Sequence, residues 1–300
     1  MTKATPDARP GDEYAGELIV CGWDEVFILR PPGREKVWSW KAKDTIPEAA
    51  GQFRTTDECK PVNGGESILI TSSTDGIALV ERATGDVGFW TSVPNAHSAE
   101  LLPCGRLAVA SSGAEGGNRL LVFDLDRPEE ALFTDELPWA HGVVWDARRE
   151  RVWALGADEL REYELRDWSS DAPSLVRSAT FRLPAAGGHD LQPVPKTPLL
   201  SVTVNSGAFL FDRDELQFVS HPELGHAPGV KSISVNPLTG RTAFVQADGE
   251  HWWADGIRFL DPHGALRTPG GHCYKARWNA GRAISRPGVT TPRPGSPTRR

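Results

Sequence analysis

The chain has 300 residues, a net charge of −7 and a pI near 5.7, with 30 Gly, 24 Pro, 11 Trp and a single Met. No basic stripe runs along any segment, so the balance of charge speaks against a general nucleic-acid binder. The high Gly and Pro counts, with no long helical periodicity, speak against an α or α/β fold.

The first segment, MTKATPDARPGDEYAGE, has no apolar stretch of signal-peptide type, and no run in the chain approaches membrane-spanning length. Cys21, Cys59, Cys104 and Cys273 show no CxxC pairing. Free thiols and a cytoplasmic location, away from membranes and nucleic acid, are the expectation; the spacing is silent on oligomeric state. Residues 1–15 read as a flexible N-terminus. The basic stretch 281–300, rich in Pro, Gly, Ser and Thr, reads as a disordered tail.

Between them the strands come in sets. Glu17–Cys21, Glu25–Arg30 and Lys36–Lys41 form three strands with no polar-entry strand before them. From Glu58 onward a polar anchor followed by a hairpin recurs: ECKPVNGGESILITSS, HSAELLPCGRLAVASS from His97, HGVVWDARRERVWALG from His141, HDLQPVPKTPLLSVTV from His189, KSISVNPLTGRTAFVQ from Lys231, and a shortened KARWNAGRAI from Lys275. The anchors lie 39, 44, 48, 42 and 44 residues apart. Outer strands fill each interval, for example Gly76–Arg82 and Gly85–Trp90, Arg119–Leu125, Glu159–Leu165 and Leu175–Leu183, Gly207–Asp212 and Leu216–Ser220, and Gly256–Asp261. A period in the forties built from short strands marks a β-propeller. The expected fold is all-β: one six-bladed β-propeller over 16–280, with four-stranded antiparallel blades. The orphan strand Cys273–Trp278 completes the three N-terminal strands, which closes the ring and protects its edges. Trp38, Trp40, Trp90, Trp145, Trp153 and Trp278 fall inside strands and are assigned to packing between blades.

The segments NAHSAELLP, AHGVVWD, GGHDLQPVP, VKSISVNPLTGR and YKARW resemble a bacterial family of six-bladed, WD40- or YVTN-like propellers catalogued as a domain of unknown function. That resemblance spans Gly16 to Trp278 and implies a fold without an activity. More distantly, the inner ring is similar in design to six-bladed polysaccharide and antibiotic lyases, which hold a divalent metal with His and acidic side chains; that likeness is architectural only.

Six equivalent positions on innermost strands should face one axis. With Glu58, His97, His141, His189, Lys231 and Lys275 there, three histidines and a carboxylate form an arc that two lysines complete. Imidazoles plus a carboxylate are the ligand set of Zn, Mn, Fe, Co or Ni, and three ligands with an open fourth position is the catalytic arrangement. The expected metal ligands are therefore His97, His141, His189 and Glu58, with Glu58 alternatively a base. Lys231 and Lys275 would stabilise negative charge, and Tyr274 is a candidate general acid whose alternative is packing. Asp190 could orient His189.

Loops on the same face supply candidate substrate contacts: Trp23, Asp24, Asn205, and Glu250, His251, Trp252 and Trp253 of the segment DGEHWWAD. Adjacent aromatics beside an acid suit a sugar ring; the alternative is a loop tucked against the rim. No GxSxG, Walker, GxGxxG or HExxH pattern occurs. The sequence thus points to a divalent-metal-dependent enzyme of lyase, isomerase or cyclase type, acting on a small or oligosaccharide-like, anionic substrate. Its rival is a non-catalytic propeller that binds a small ligand or a protein. A polar channel with neither metal nor ligand is the third possibility.

Overall fold

A computed structural model describes residues 16–279. The expected flexible N-terminus and the tail lie outside those residues. Six four-stranded antiparallel sheets are arranged as blades. Blade one takes β1 (Leu18–Cys21), β2 (Val26–Leu29) and β3 (Lys36–Trp40). Blade two is β4 (Thr56–Val62), β5 (Ser67–Ser72), β6 (Gly76–Glu81) and β7 (Val87–Ser92). Blade three is β8 (Ala96–Leu102), β9 (Arg106–Ser111), β10 (Arg119–Asp124) and β11 (Phe133–Glu136). Blade four is β12 (Gly142–Asp146), β13 (Arg151–Leu155), β14 (Glu159–Arg166) and β15 (Ser174–Arg182). Blade five is β16 (Asp190–Pro193), β17 (Leu199–Val204), β18 (Gly207–Asp212) and β19 (Gln217–Ser220). Blade six is β20 (Val230–Val235), β21 (Thr242–Gln246), β22 (Gly256–Leu260) and β23 (Gly264–Arg267).

The last strand, β24 (Lys275–Trp278), pairs antiparallel with β1 from Cys21↔Lys275 to Leu18↔Trp278 and becomes the innermost strand of blade one. The inner strands β4, β8, β12, β16, β20 and β24 neighbour one another in that order, and β24 returns to β4, so the ring is closed.

Burial falls from the axis outward. Strands such as β1 (LIVC) and β2 (VFIL) are buried on both faces, because a neighbouring blade covers each side. Outer strands alternate half-buried with exposed residues, as in β11 (FTDE). One apolar cluster fills each of the six seams between blades. The strand tryptophans belong to these seams: Trp38, Trp40 and Trp90 between blades one and two, Trp145 between three and four, Trp153 between four and five, and Trp278 between six and one.

The hairpin β8–β9 turns on Cys104 and Gly105, both at positive φ (63° and 68°). Two successive left-handed residues make the tight turn whose twist matches the flanking strands. A short helix α1 (Ala42–Thr45) and a 3-10 segment (Pro47–Gln52) carry the chain from β3 to β4. They bury Ala42, Ile46, Ala49 and Phe53 against the first seam. All four cysteines are free, and no helix among the described residues is long and apolar enough to cross a membrane.

Candidate functional site

Each inner strand begins with an extra residue. In β4, β8 and β20 the register skips Asp57, His97 and Lys231, which sit in bulges between paired neighbours. In the other three blades the N–H of His141, His189 or Tyr274 donates to the same residue that pairs with its successor: Leu155, Thr203 and Cys21. The equivalent positions are therefore Asp57, His97, His141, His189, Lys231 and Tyr274. These six, with Ser73 and Trp252, line a cavity of about 240 Å³ at the channel mouth.

This corrects the expected ring in two blades. Glu58 and Lys275 stand one residue further along their strands and belong to the layer beneath. The error has a physical source. A bulge places two successive polar residues at the strand start, and only the apolar residue two positions later tells which is the ring member. That residue is Ala99, Val143, Leu191 and Ile233 after the four correct anchors, and Cys59 and Ala276 after Asp57 and Tyr274.

The three histidines do come together. Ring centroids of His97 and His141 are 4.3 Å apart, and those of His141 and His189 are 5.6 Å apart. His97 Nδ1–H donates to the Asn95 carbonyl (3.2 Å) and His141 Nδ1–H to the Trp139 carbonyl (2.9 Å), with Ser112 Oγ 3.2 Å from the same nitrogen. A carbonyl can only accept, so both rings keep Nδ1 protonated and present a bare lone pair at Nε2. Asp57 Oδ1 lies 3.8 Å from His97 Nε2, while Oδ2 accepts from the Ser73 N–H.

His189 is placed differently. Its Nε2 lies 2.8 Å from Asn205 Oδ1 and 3.1 Å from Lys231 Nζ, and its Nδ1 is buried with no hydrogen-bond partner. Gly187, at φ 84°, leaves the room that Asn205 occupies there, since a Cβ would fall 2.1 Å from the Asn205 amide nitrogen. Lys231 only donates and Asn205 Oδ1 only accepts, so Nε2 satisfies one of them at a time. If it accepts from Lys231, Nδ1 carries an unmatched proton. If it donates to Asn205, Nδ1 is a bare acceptor and the ammonium loses its bond. This corner is one hydrogen-bonding group short in either tautomer.

Burial sets the protonation of the ring. It pushes His97 down to about 3 and His189 to about 4, the latter helped by Lys231, and holds His141 well below the usual imidazole range. The Lys275 ammonium beneath adds to all three effects. Burial also raises Asp57 to about 7, against the bonds from Ser73, and lifts the Tyr274 phenol well above its ordinary value. Lys231 is lowered by burial, and among the described residues it has no carboxylate within ion-pair distance.

In the layer beneath every carboxylate is paired with a cation, although the buried Lys275 Nζ makes ion pairs without a hydrogen bond. Arg277 bonds Glu58 through two nitrogens (Nε–Oε1 2.8 Å, Nη2–Oε2 2.9 Å) and Asp190 through Nη1–Oδ2 at 2.9 Å and Nη2–Oδ1 at 2.5 Å. Lys275 Nζ stands 3.2 Å from Asp190 and 3.6 Å from Glu58. Burial resists charge on Glu58, but Arg277 and Lys275 hold its carboxyl well below the usual range. Deeper still, Lys60 Nζ pairs with Glu100 (3.1 Å) and donates to the Val143 carbonyl (2.5 Å). These charges plug the channel under the ring.

Of the loop candidates, only Trp252 reaches the cavity, edge-to-face against Trp23 (4.9 Å) and Tyr274 (5.4 Å). Trp23 thus supports Trp252. Asp24 is held by Lys41 (2.9 Å), and Asn205 acts through His189. His251 is tied to Asp248 and packs on Trp253, which itself packs on His272, outside the cavity. Glu250 is exposed and lines no part of the cavity. Asp57, Ser73 and the plug-forming Arg277 were not singled out from sequence; the apolar spacing just described identifies Asp57.

Among the described residues no group of three or more His, Cys, Asp or Glu side chains is placed to hold a metal ion as it stands. The imidazoles fit a metal in kind, and the orphaned His189 Nδ1 is a free donor. The surrounding charge does not favour one, since Lys231, Lys275 and Arg277 offset Asp57, Glu58 and Asp190 even when all three carboxylates are ionised.

Fold and ring together define a six-bladed β-propeller, closed by its last strand, whose channel is stoppered below and open at one mouth. The chain belongs to a family described as a family of unknown function (DUF6528), whose sequence model matches residues 24–290. No curated protein matches the chain.

Proposed function

We propose that the channel mouth binds a small, anionic, polyhydroxylated molecule and acts on it by proton transfer, as a lyase or isomerase. The observation that carries this reading is Lys231: a half-buried ammonium with no carboxylate of the described residues beside it, sharing an over-committed imidazole nitrogen. A carboxylate or phosphate of the ligand would complete that corner. Seven of the eight residues around the cavity offer hydrogen bonds and one, Trp252, offers an aromatic face, which suits a hydroxylated ring better than a flat apolar one. The volume suits a single monosaccharide-sized unit.

The same ring supplies acid–base groups. Asp57, with its pKa near 7 and 3.8 Å from His97, is poised as a base at neutral pH. Lys231, paired with the ligand's carboxylate, would stabilise the charge that develops when the neighbouring proton leaves. Tyr274, kept protonated by burial, is the acid, next to Asp57 in the ring. Perturbed groups of this kind gathered in one cavity mark functional sites more often than scaffolds.

Calorimetry with galacturonate and glucuronate, against galactose, tests the binding. Uronates should bind and galactose should not, and Lys231→Ala should lose most of the affinity. Equal binding of the neutral sugar would overturn the anion reading. Exchange of the hydrogen next to the carboxylate with deuterated water, followed by NMR, tests the chemistry; Asp57→Asn should abolish it.

A second reading, a divalent-metal-dependent enzyme, is favoured by the unpartnered His189 Nδ1 beside two imidazoles with free Nε2 lone pairs. His97, His141 and His189, with Asp57 in the place expected of Glu58, would hold the ion, which would polarise the ligand's carboxylate. Elemental analysis of the purified protein beside the triple His→Ala variant decides. Metal at one equivalent, lost in the variant, would favour this reading over the metal-free one.

A further inference from the structure

Two tryptophans of the described residues are strongly exposed, Trp139 at 57% and Trp252 at 40%. Both belong to the channel mouth. Trp252 lines the cavity and packs on Tyr274, while the Trp139 carbonyl receives His141 Nδ1–H. Tyr274 and His141 sit three blades apart in a ring of six, so the segments that carry the two indoles border the mouth on opposite sides.

Trp139 is fixed where it stands. It adopts φ 50°, a left-handed conformation rare for a bulky residue, and its N–H is held by Asn118 Oδ1 at 2.8 Å. Its ring lies flat enough on Gly113 that a Cβ there would come within 3.0 Å of three ring atoms. A backbone conformation that costs energy, used to hold an apolar ring in water, points to a contact made by that ring.

We propose that the ligand is a chain, an acidic oligosaccharide laid across the mouth, with its acidic unit in the cavity and flanking units stacked on Trp252 and Trp139. This rests on the reading of the cavity as a uronate-type site. The cavity holds one unit, so a longer ligand must leave it over the rim, and the two exposed rings mark opposite exits. A peptide is the weaker occupant, since among the described residues no unpaired inner strand or deep apolar pocket borders the mouth to receive one.

The experiment measures binding of 1,4-linked galacturonate oligomers of one to four units by calorimetry, to wild type, Trp139→Ala, Trp139→Phe and Lys231→Ala. Affinity should rise about tenfold from monomer to trimer, the worth of one or two aromatic contacts. Trp139→Ala should remove the part of that rise that comes from the unit on its side and leave monomer binding unchanged; Trp139→Phe should keep most of it. Lys231→Ala should weaken every length alike. If monomer and trimer bind equally, or Trp139→Ala keeps the whole rise, the chain proposal fails and the single-unit cavity stands. If no length binds the wild type, the cavity reading fails and takes this one with it. Loss of monomer binding in Trp139→Ala, restored in Trp139→Phe, would show the ring supporting His141 and overturn its role as a platform.

Discussion

Two layers of ionisable side chains lie one above the other in the channel, the upper drawn from all six blades and the lower from β4, β16 and β24, and they could hardly be less alike. In the lower layer Arg277 forks onto two carboxylates and Lys275 stands between the same two. In the upper ring three imidazoles touch edge to face, burial raises a carboxyl to about 7, and Lys231 has no anion among the described residues. Burial alone does not separate the two, for Asp57 and Glu58 are both enclosed. Charge pairing does. A cluster in which every carboxylate faces a cation is scaffold, whereas one that leaves a cation without a carboxylate is arranged for something that arrives.

The largest effect expected from breaking this contrast lies in the plug. Arg277→Met leaves Glu58 and Asp190 buried with only Lys275 between them, and breaking such a buried network by removing one partner costs about 3–5 kcal/mol. Urea unfolding should show a correspondingly lower midpoint with an unchanged slope. Glu58→Gln should fall in the same direction, because it strands one face of Arg277. A loss below about 1 kcal/mol for Arg277→Met would mean that the plug is no more structural than an exposed ion pair.

The blades were legible because burial imposes a period: strands covered on both faces must be apolar, and the polar strand starts then stand out at spacings in the forties. His97, His141, His189 and Lys231 were found this way, and so was the closing strand around Trp278. The one-residue slip to Glu58 and Lys275 was the cost of reading polarity without register. A bulge adds a residue that neither composition nor period reveals, and Asp57-Glu58 and Tyr274-Lys275 are each two polar neighbours in a row. The loop from Asp248 to Asp255 was harder, since nothing local tells which of four chemically suitable residues turns inward. Only packing against Trp23 and Tyr274 selects Trp252.

An intermediate effect is expected from pH, and it belongs to the ring. His97, His141 and His189 are all depressed in the folded protein, so above the unfolded value near 6.5 they carry no penalty. As pH falls below ~6.5 the unfolded chain takes up three protons that the folded chain refuses, His97 until about 3 and His189 until about 4, and stability is lost. Asp57 works the other way: its folded value near 7 lies above the unfolded one, so its contribution is present at low pH and disappears as pH rises through 7. The histidines outnumber it. Ligand-free protein should therefore lose stability on acidification from pH ~6.5 to ~4.5, by on the order of 1 kcal/mol per pH unit for each net proton. His189→Asn should flatten that slope by about one proton. A slope unchanged by the substitution would place His189 outside the buried, neutral set.

The smallest effect on stability, and the sharpest on function, is expected at Lys231. Its ammonium is half-buried, is depressed by burial alone and is bonded only to an imidazole nitrogen that Asn205 also claims. Lys231→Met keeps the length of the side chain, removes the charge that burial disfavours, and frees His189 Nε2 to settle on Asn205. Stability should hold or rise by a few tenths of a kcal/mol, as substitutions that relieve an unpaired buried group commonly do. Uronate binding should fall at the same time by tenfold or more, the worth of one charge-assisted hydrogen bond of about 1.5–3 kcal/mol. Unfolding curves and calorimetry on one preparation read both quantities. A destabilisation of about 2 kcal/mol or more would mean that Lys231 is already fully engaged in the folded protein, and the distinction between a finished plug and an unfinished ring would fall at its most exposed point.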